Sequence, residues 1–357
     1  MKSGIPNGWP NGWPKGWFQS PLRVVLLGVA MLALTLVFAN VSPASAAGEA
    51  GYPTLADPAG GLGGGNKAEM WRGVRSGEQG LVSIPNKSAG VLIQSEGEAW
   101  RSFRNGPLMT YGGWVLGGML ALLALFFLVR GRIRIDGRKT GRTIRRFNAF
   151  ERGVHWLTAG SFVILAFTGL NVLYGRHTIL PLLGPDVFAA MTAYGKLAHN
   201  YLGFAFILGV TLVFLMWVKH NIPNRGDIEW ALKAGGLFSK GVHPPAKKFN
   251  AGQKVIFWAT VLGGAALGFT GIQLLFPFSF APMADMQLFQ LAHAGIAVVL
   301  IAVIIAHIYI GSVGMEGAFD AMGSGEVELQ WAREHHSLWV EEVTGERPRH
   351  GHHAPAE

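Results

Sequence analysis

Half of the 357 residues are hydrophobic and only 14% are charged, which excludes a disordered chain and argues against a soluble enzyme. Cysteine is absent, and this excludes thiolate-bound Fe–S clusters, covalently attached c-type haem, disulfides and thiol nucleophiles. The net charge of +9 comes from basic residues between apolar stretches, so it indicates membrane topology and not nucleic-acid binding.

The N-terminal region has the features of a secretory signal. Arg23 precedes an apolar run of 16 residues over 24–39, and an Ala-Ser-Ala ending follows at 44–46. Such a run spans ~24 Å as a helix, which is short of the ~30 Å hydrocarbon core of a bilayer. Residues 1–46 are therefore predicted to be a signal peptide cleaved after Ala46, with an uncleaved anchor as the alternative.

The rest of the chain divides by hydropathy. Residues 47–107 are polar and glycine-rich, and we expect a periplasmic extension there. Five apolar stretches follow, each long enough to cross the bilayer as a helix: 109–129, 154–174, 194–218, 255–276 and 288–312. The first predicts an extra transmembrane helix within 108–130, and the other four predict a helical core over 154–312. A basic loop over 131–153 and a tail over 313–357 complete the chain.

The connections between these stretches alternate in charge. Residues 130–152 contain nine Lys or Arg residues and 219–254 contain seven, whereas 175–192 contains one and 277–287 contains none. The positive-inside rule places the two basic loops in the cytoplasm. We therefore predict a multi-pass protein of the bacterial inner membrane, with its tail in the cytoplasm and the segment before the first stretch in the periplasm after signal removal.

Four of the twelve histidines lie inside apolar stretches, where an ionisable group is costly and usually functional. These are His155, His199, His293 and His307. The other eight lie in connections or in the tail, and the tail residues are interpreted as a solvated surface run, with adventitious binding of a divalent metal as the alternative. They are His177, His220, His243, His335, His336, His350, His352 and His353.

The heights of the four membrane histidines predict two pairs. His155 starts its helix beside the basic cytoplasmic loop, whereas His199 and His293 lie near the periplasmic starts of theirs. His307 follows His293 by 14 residues, close to four turns, so it lies ~21 Å further along on nearly the same face. We therefore expect His199 to pair with His293 near the outside, and His155 with His307 near the inside.

Two neutral imidazoles at one height suit a six-coordinate haem iron. Zinc or copper would need three or four ligands at one height. The sequence therefore predicts two b-type haems that carry electrons between the two faces of the membrane, with a structural histidine network as the alternative. Because the chain has no Fe–S ligands and no nucleotide-binding loop, electrons must come from a partner, and quinone is the expected acceptor.

Several segments resemble the cytochrome b (gamma) subunit of membrane-bound formate dehydrogenase. They are RFNAFERGVHW at 146–156, Thr168-Gly169-Leu170, GKLAHNYLG at 195–203, KFNAGQKVIFW at 248–258, LAHAGIAVVLIAVIIAHIY at 291–309 and VELQWAREHHSLWVEE at 327–342. The resemblance implies an all-α integral membrane protein with a four-helix transmembrane cytochrome b core. The additional N-terminal transmembrane helix and the exported segment depart from the short form of this family.

The resemblance also implies ligands for the two haem irons. His155 and His307 would bind the iron of the cytoplasmic-side haem, and His199 and His293 that of the periplasmic-side haem.

A quinone site is implied beside the cytoplasmic-side haem. It would be formed by Asn250, Gly252, Gln253 and His307. The residues alone predict an ordinary helix cap at Asn250, and capping and quinone contact are compatible.

The function implied by the resemblance is a redox loop in anaerobic respiration. A periplasmic alpha subunit with a molybdenum or tungsten pterin oxidises formate, and an Fe–S beta subunit passes the electrons to this chain, which lies in membrane lipid. The chain is then an enzyme only as the electron-transfer and quinone-reducing subunit of a formate:quinone oxidoreductase.

Three other functions stay open from the sequence. The chain fits a cytochrome b subunit of a hydrogenase or of a thiosulfate- or polysulfide-type reductase, a stand-alone transmembrane cytochrome reductase, or a haem-free membrane anchor.

Overall fold

The structure is a computed structural model that describes residues 80–81, 91–93, 95–239, 241–277, 279 and 281–345. The predicted signal peptide, most of the predicted periplasmic extension and the last three tail histidines lie outside these residues. Within them, the chain is mainly helical and forms two small antiparallel strand pairs.

The helices are α1 Ser95–Phe103, α2 Met109–Arg130, α3 Ala149–Trp217, α4 Arg225–Leu232, α5 Ala251–Leu275, α6 Met283–Tyr309, α7 Asp320–Gly323, α8 Leu329–His335 and α9 Ser337–Thr344. The strands are β1 Gly80–Leu81, β2 Val91–Ile93, β3 Thr143–Arg145 and β4 Glu326–Glu328. β1 pairs with β2 and β3 pairs with β4.

In the described part of the chain, four helices are long and apolar enough to cross a membrane, namely α2, α3, α5 and α6. Gly184 divides the 69-residue α3 into two limbs, 149–183 and 185–217. The two limbs, α5 and α6 form the four-helix core, and α2 is the additional helix. The chain is thus an all-α integral membrane protein of the predicted architecture.

The two limbs of α3 form an antiparallel hairpin. Gly184 has φ 79° and ψ 170°, a combination open in practice only to glycine, and Pro185 starts the second limb where its missing N–H costs nothing. Residues of the two limbs contact each other in antiparallel order, at the pairs Thr158/Gly209, Phe162/Phe206, Thr168/His199 and Asn171/Thr192.

This hairpin corrects the prediction of a loop over 175–192. Both limbs continue as helix almost to Gly184, because an α-helix satisfies its backbone N–H and C=O groups internally and can continue past the edge of the hydrocarbon core. The drop in hydropathy at Gly175-Arg176-His177 marks the edge of the apolar stretch and not the end of the helix.

The core contains two apolar clusters. One joins the limbs of α3 to α5 and α6 and consists of Phe162, Phe206, Val210, Leu267, Leu300 and Ile301. The other lies at the end of the bundle where α3 begins and includes Phe147, Trp217, Phe257, Trp331 and Trp339. The clusters hold the hairpin against α5 and α6.

α2 packs against the outside of this bundle. Gly112 is its one buried residue, and a Cβ there would come within 2.7 Å of the Tyr174 hydroxyl. That hydroxyl donates a hydrogen bond to the carbonyl of Met109 at 3.0 Å. The other faces of α2 carry exposed side chains such as Trp114 and Leu128, which is the pattern expected of a helix surrounded by lipid.

The basic loop and the tail fold together over one end of the bundle. β3 pairs with β4 in the register Thr143–Glu328 and Arg145–Glu326. Glu334 accepts hydrogen bonds from the backbone N–H groups of Asp136 and Gly137 at 3.0 and 2.8 Å. We call residues 131–148, 243–250 and 315–345 the end cap. The sequence predicted loop and tail as separate segments.

The two halves of the core are an internal duplication. RFNAFERGVHW at 146–156 recurs as KFNAGQKVIFW at 248–258, and Phe-Thr-Gly recurs at 167–169 and 269–271. Each copy starts with an asparagine capping box. The helix that follows each copy carries Leu-Ala-His, at 197–199 and 291–293. The α3 hairpin and the α5–α6 pair therefore have matching parts.

We expect Gly184→Ala to destabilise the protein by about 1–3 kcal/mol, because alanine is strained at this backbone conformation. Gly160→Ala is the matched control, since Gly160 is helical and a Cβ there meets no atom within 4 Å. The measurement is the thermal midpoint of both variants in detergent. Equal midpoints for the two variants would contradict the assignment of the hairpin turn to Gly184.

Candidate functional site

The structure brings the four membrane histidines together in two pairs. The ring centres of His199 and His293 lie 6.1 Å apart with an interplanar angle of 61°. Those of His155 and His307 lie 6.3 Å apart with an angle of 60°. Both pairs join an α3 limb to α6. We call the first the threonine-linked pair and the second the cap-side pair.

The ring separations fit two axial ligands of one metal ion. With metal–nitrogen bonds of ~2.0–2.1 Å, imidazoles on opposite sides of one ion have ring centres about 6 Å apart. In the described ranges, no group of three or more His, Asp or Glu residues is arranged to hold a metal. Each pair therefore offers two imidazoles, a donor set that fits haem iron better than a zinc-type site.

Threonine hydroxyls fix the rings of the threonine-linked pair. The Thr168 hydroxyl lies 2.8 Å from Nδ1 of His199, and the Thr270 hydroxyl lies 2.9 Å from Nδ1 of His293. Each hydroxyl donates its proton to a carbonyl one turn earlier in its helix, at 2.8 Å, so it accepts from the ring. Nδ1 of each ring then carries the proton, and Nε2 is left with a lone pair for a metal ion.

Glycine beside each threonine makes room for the ring. A Cβ at Gly169 would lie 3.4 Å from Cε1 of His199, and one at Gly271 would lie 3.4 Å from Cε1 of His293. In each copy, the threonine of the Thr-Gly dipeptide thus orients a histidine ring, and the glycine leaves room for that ring. Sequence analysis missed Thr270, and the repeated Phe-Thr-Gly is the signal that identifies it.

The cap-side pair has no such symmetry. Nδ1 of His155 is buried and has no hydrogen-bond partner within the described ranges. In the duplication, Phe257 stands at the position of His155 and Val213 at that of His307. Both are buried in the apolar cluster at this end of the bundle. One of the two equivalent positions thus holds a histidine pair, and the other is filled by hydrocarbon.

Asn250, Gly252 and Gln253 form the start of α5. The Asn250 side chain accepts from the Gln253 N–H at 2.9 Å, and Gln253 Oε1 accepts from the Asn250 N–H at 3.1 Å. A Cβ at Gly252 would lie 3.0 Å from the Trp230 ring. The cavity that Asn250 and Trp230 help to line measures about 30 Å³, room for water only. A larger ligand therefore fits this cavity beside Asn250 only if Trp230 is displaced, and Gln253 does not line the cavity.

Arg146 is buried in the end cap with 4% of its surface exposed. Its Nη2 donates to the Lys248 carbonyl at 2.6 Å and lies 3.4 Å from Gln253 Oε1. The rings of Phe147, Trp331 and Trp339 lie 5.3–5.4 Å from its guanidinium carbon. Burial lowers the pKa of Arg146 to about 9, which still leaves the group charged at neutral pH.

The prediction that the tail histidines form a solvated surface run is wrong for His335 and His336. His336 is 1% exposed and donates from Nδ1 to the Lys247 carbonyl at 2.8 Å. Burial lowers the pKa of His336 well below its usual range and that of His335 to about 4. Both rings pack on Trp331, so His336 is a core residue of the end cap and His335 is partly buried beside it.

Comparison with known proteins gives one family. The sequence model of the prokaryotic cytochrome b561 family matches residues 146–325. The cytochrome b556(fdo) subunit of formate dehydrogenase from Escherichia coli K12 is 31% identical over 205 residues, which cover 56% of this chain and 93% of that protein.

Two further relatives have related names. The nitrate-inducible formate dehydrogenase cytochrome b556(Fdn) subunit of the same strain is 28% identical over 206 residues, 57% of this chain and 92% of that protein. The formate dehydrogenase cytochrome b556 subunit of Haemophilus influenzae is 27% identical over 194 residues, 53% of this chain and 78% of that protein.

We expect the protein to lose stability in mild acid through the end cap. His335 and His336 stay neutral in the folded chain, whereas the unfolded chain binds protons below about pH 6.5. Their contribution is therefore complete above about pH 6.5 and is lost as the pH falls towards 4, by a few kcal/mol in total.

The measurement is the drop in thermal midpoint between about pH 7 and about pH 5. His335→Gln removes the titrating ring and should reduce this drop, whereas His177→Gln alters an exposed histidine and should leave it unchanged. The interpretation fails if both variants lose as much as the unsubstituted chain.

Proposed function

Because the chain belongs to the prokaryotic cytochrome b561 family, as a cytochrome b subunit of the formate dehydrogenase type, we propose that it passes electrons across the inner membrane to quinone. Membership of a cytochrome b family implies b-type haem. The proposal assigns two haems to the chain, one at each histidine pair.

The observation that carries the proposal is the repeated histidine geometry. His199 and His293 would hold one haem iron, and His155 and His307 the other; the ring centres lie 6.1 Å apart in the first pair and 6.3 Å apart in the second. Bound b-type haem supplies a one-electron carrier at each level. The protein orients the rings, keeps Nε2 of the threonine-linked pair unprotonated and excludes water with the surrounding helices.

α6 links the two levels. It carries His293 and His307 on nearly the same face, 14 residues apart, or ~21 Å along the helix axis. A single rigid helix thus sets the spacing between the proposed sites. Its apolar cluster with α3 and α5 fills the space between the two levels, which keeps that region dry.

The end cap marks the proposed quinone side. Asn250, Gly252 and Gln253 lie at the start of α5, on the same end of the bundle as the cap-side pair, and His307 belongs to that pair. The high count of Lys and Arg in the loops at this end supports a cytoplasmic location. Two protons for quinol then come from cytoplasmic water.

The chain needs partners to obtain electrons. It has no cysteine and so holds no thiolate-bound Fe–S cluster. We propose that it assembles with an Fe–S beta subunit and a molybdenum or tungsten pterin alpha subunit on the periplasmic side. The names of its relatives as formate dehydrogenase subunits support formate as the electron source.

The first test is a reduced-minus-oxidised spectrum of the purified chain with haem quantitation, beside four His→Ala variants. We expect about two b haems per chain, and each variant of His155, His199, His293 or His307 should lose mainly one. His177→Ala is the control and should keep both. No haem in well-folded protein, or equal loss in the control, would refute the proposal.

The second test concerns the threonine hydroxyls. Thr168→Val or Thr270→Val removes the acceptor of the ring proton, and loss of such a partner typically weakens metal binding about 10–100-fold. We expect a shifted midpoint potential or lower retention of one haem only. Thr211→Val is the control, because Thr211 makes the same bond to its own helix, at 2.8 Å, but is exposed. An unshifted potential and full retention in both site variants would contradict the assigned role.

A further inference from the structure

Among the residues that the structure describes, the buried cation Arg146 has no anionic partner. None of the ion pairs in the described residues includes it, and its Nε and Nη1 atoms have no hydrogen-bond partner there. Three aromatic rings enclose the guanidinium. Taking a charge out of water without a counter-charge is costly. We therefore expect the Arg146 charge to have a function that offsets this cost.

The duplication supplies a matched comparison for this charge. Lys248 stands at the position of Arg146 in the second copy, and Glu151 stands at the position of Gln253 in the first. The two contacts are related across the copies, because Lys248 Nζ pairs with Glu151 at 2.8 Å and Arg146 contacts Gln253. One of the two contacts thus joins a cation to a carboxylate, whereas the other joins a cation to a neutral amide.

The contact with Arg146 orients the Gln253 amide. Gln253 Oε1 accepts hydrogen bonds from the Asn250 N–H at 3.1 Å and from Arg146 Nη2 at 3.4 Å. The amide oxygen of Gln253 therefore points towards the end cap. The amide nitrogen is the other end, and it donates no hydrogen bond within the described ranges. It is available as a donor to a carbonyl oxygen.

We propose that Arg146 is a positioning residue of the quinone-reducing site. It holds Gln253 with its amide nitrogen towards the quinone carbonyl, and its uncompensated charge stabilises the negative charge that quinone acquires on reduction. The inference rests on the proposed function of the chain and on quinone binding at Gln253.

The chemistry of quinone reduction needs such a charge. Quinone takes up two electrons and two protons, and both carbonyl oxygens become hydroxyls. Electrons that arrive before the protons leave negative charge on the ring oxygens, and a fixed cation in a region of low dielectric lowers the energy of that state. Arg146 supplies no proton; both protons come from cytoplasmic water.

The substitution Gln253→Glu would remove both parts of this arrangement. The new carboxylate would pair with Arg146 as Glu151 pairs with Lys248, and the amide donor would be replaced by an acceptor. Gln253→Glu is therefore expected to fold well and to react poorly with quinone.

The experiment uses the full haem-loaded chain in detergent, reduced with stoichiometric dithionite and mixed rapidly with a short-chain quinone. The rate of haem reoxidation against quinone concentration gives a limiting rate and a half-saturation concentration. Haem content and the thermal midpoint are recorded for each variant as checks of folding.

We expect Arg146→Met to lower the limiting rate about tenfold or more with haem content unchanged, since exchanging an unpaired buried charge for an apolar side chain is often neutral or stabilising. Arg146→Lys should restore much of the limiting rate but raise the half-saturation concentration, because lysine keeps the charge without the planar donors. Arg145→Met alters the adjacent exposed arginine and should behave as the unsubstituted chain.

The outcomes separate the inference from the function on which it rests. If quinone does not reoxidise the unsubstituted chain, the proposed function fails. If it does and Arg146→Met matches Arg145→Met in both parameters, the role of Arg146 is refuted. Should Arg146→Met lose its haem, Gln253→Glu decides: unchanged reoxidation by that variant would overturn the inference.

Discussion

A hydrogen bond to one nitrogen of a histidine ring buried between membrane helices fixes the tautomer and leaves the other nitrogen available to a metal ion. In this protein a threonine hydroxyl makes that bond, and it does so on both sides of one site. The rest of the core follows from this contact. Thr168 and His199 meet because Gly184 folds α3 back on itself, and Gly169 allows the approach.

The duplication explains both the symmetry of the core and its exceptions. The threonine-linked pair uses equivalent residues of both copies, so its two sides match. The cap-side pair uses His155 from the first copy and His307 from the second, while Phe257 and Val213 fill the related position. Two such pairs at one level would compete for the same interior space, so each copy contributes one histidine and one apolar side chain, and only one of the two related positions holds a histidine pair.

Much of this was accessible from the sequence, for physical reasons. Hydropathy located the crossings because the backbone in lipid must be helical. Counting turns placed His293 and His307 on one face of α6, and the two pairs that the structure brings together are those expected from height. The limits came from contacts distant in sequence. The helices of the hairpin continue beyond the apolar stretch, so the loop expected over 175–192 is absent from the described residues. Packing of the tail against the segment before α5 buries His336 and partly buries His335, which local polarity had indicated as surface residues.

The end cap connects the difference between the copies to the proposed chemistry. Trp331, Trp339 and His336 come from the tail and close over Arg146, which belongs to the basic loop. His336 donates from Nδ1 to a backbone carbonyl, so it is not an acceptor for the guanidinium and leaves that charge unpaired. Because these rings exclude water, the Arg146 charge is poorly screened. Its electric field at Gln253 is therefore stronger than that of a surface charge at the same distance. A tail distant in sequence thus determines the electrostatics at the start of α5.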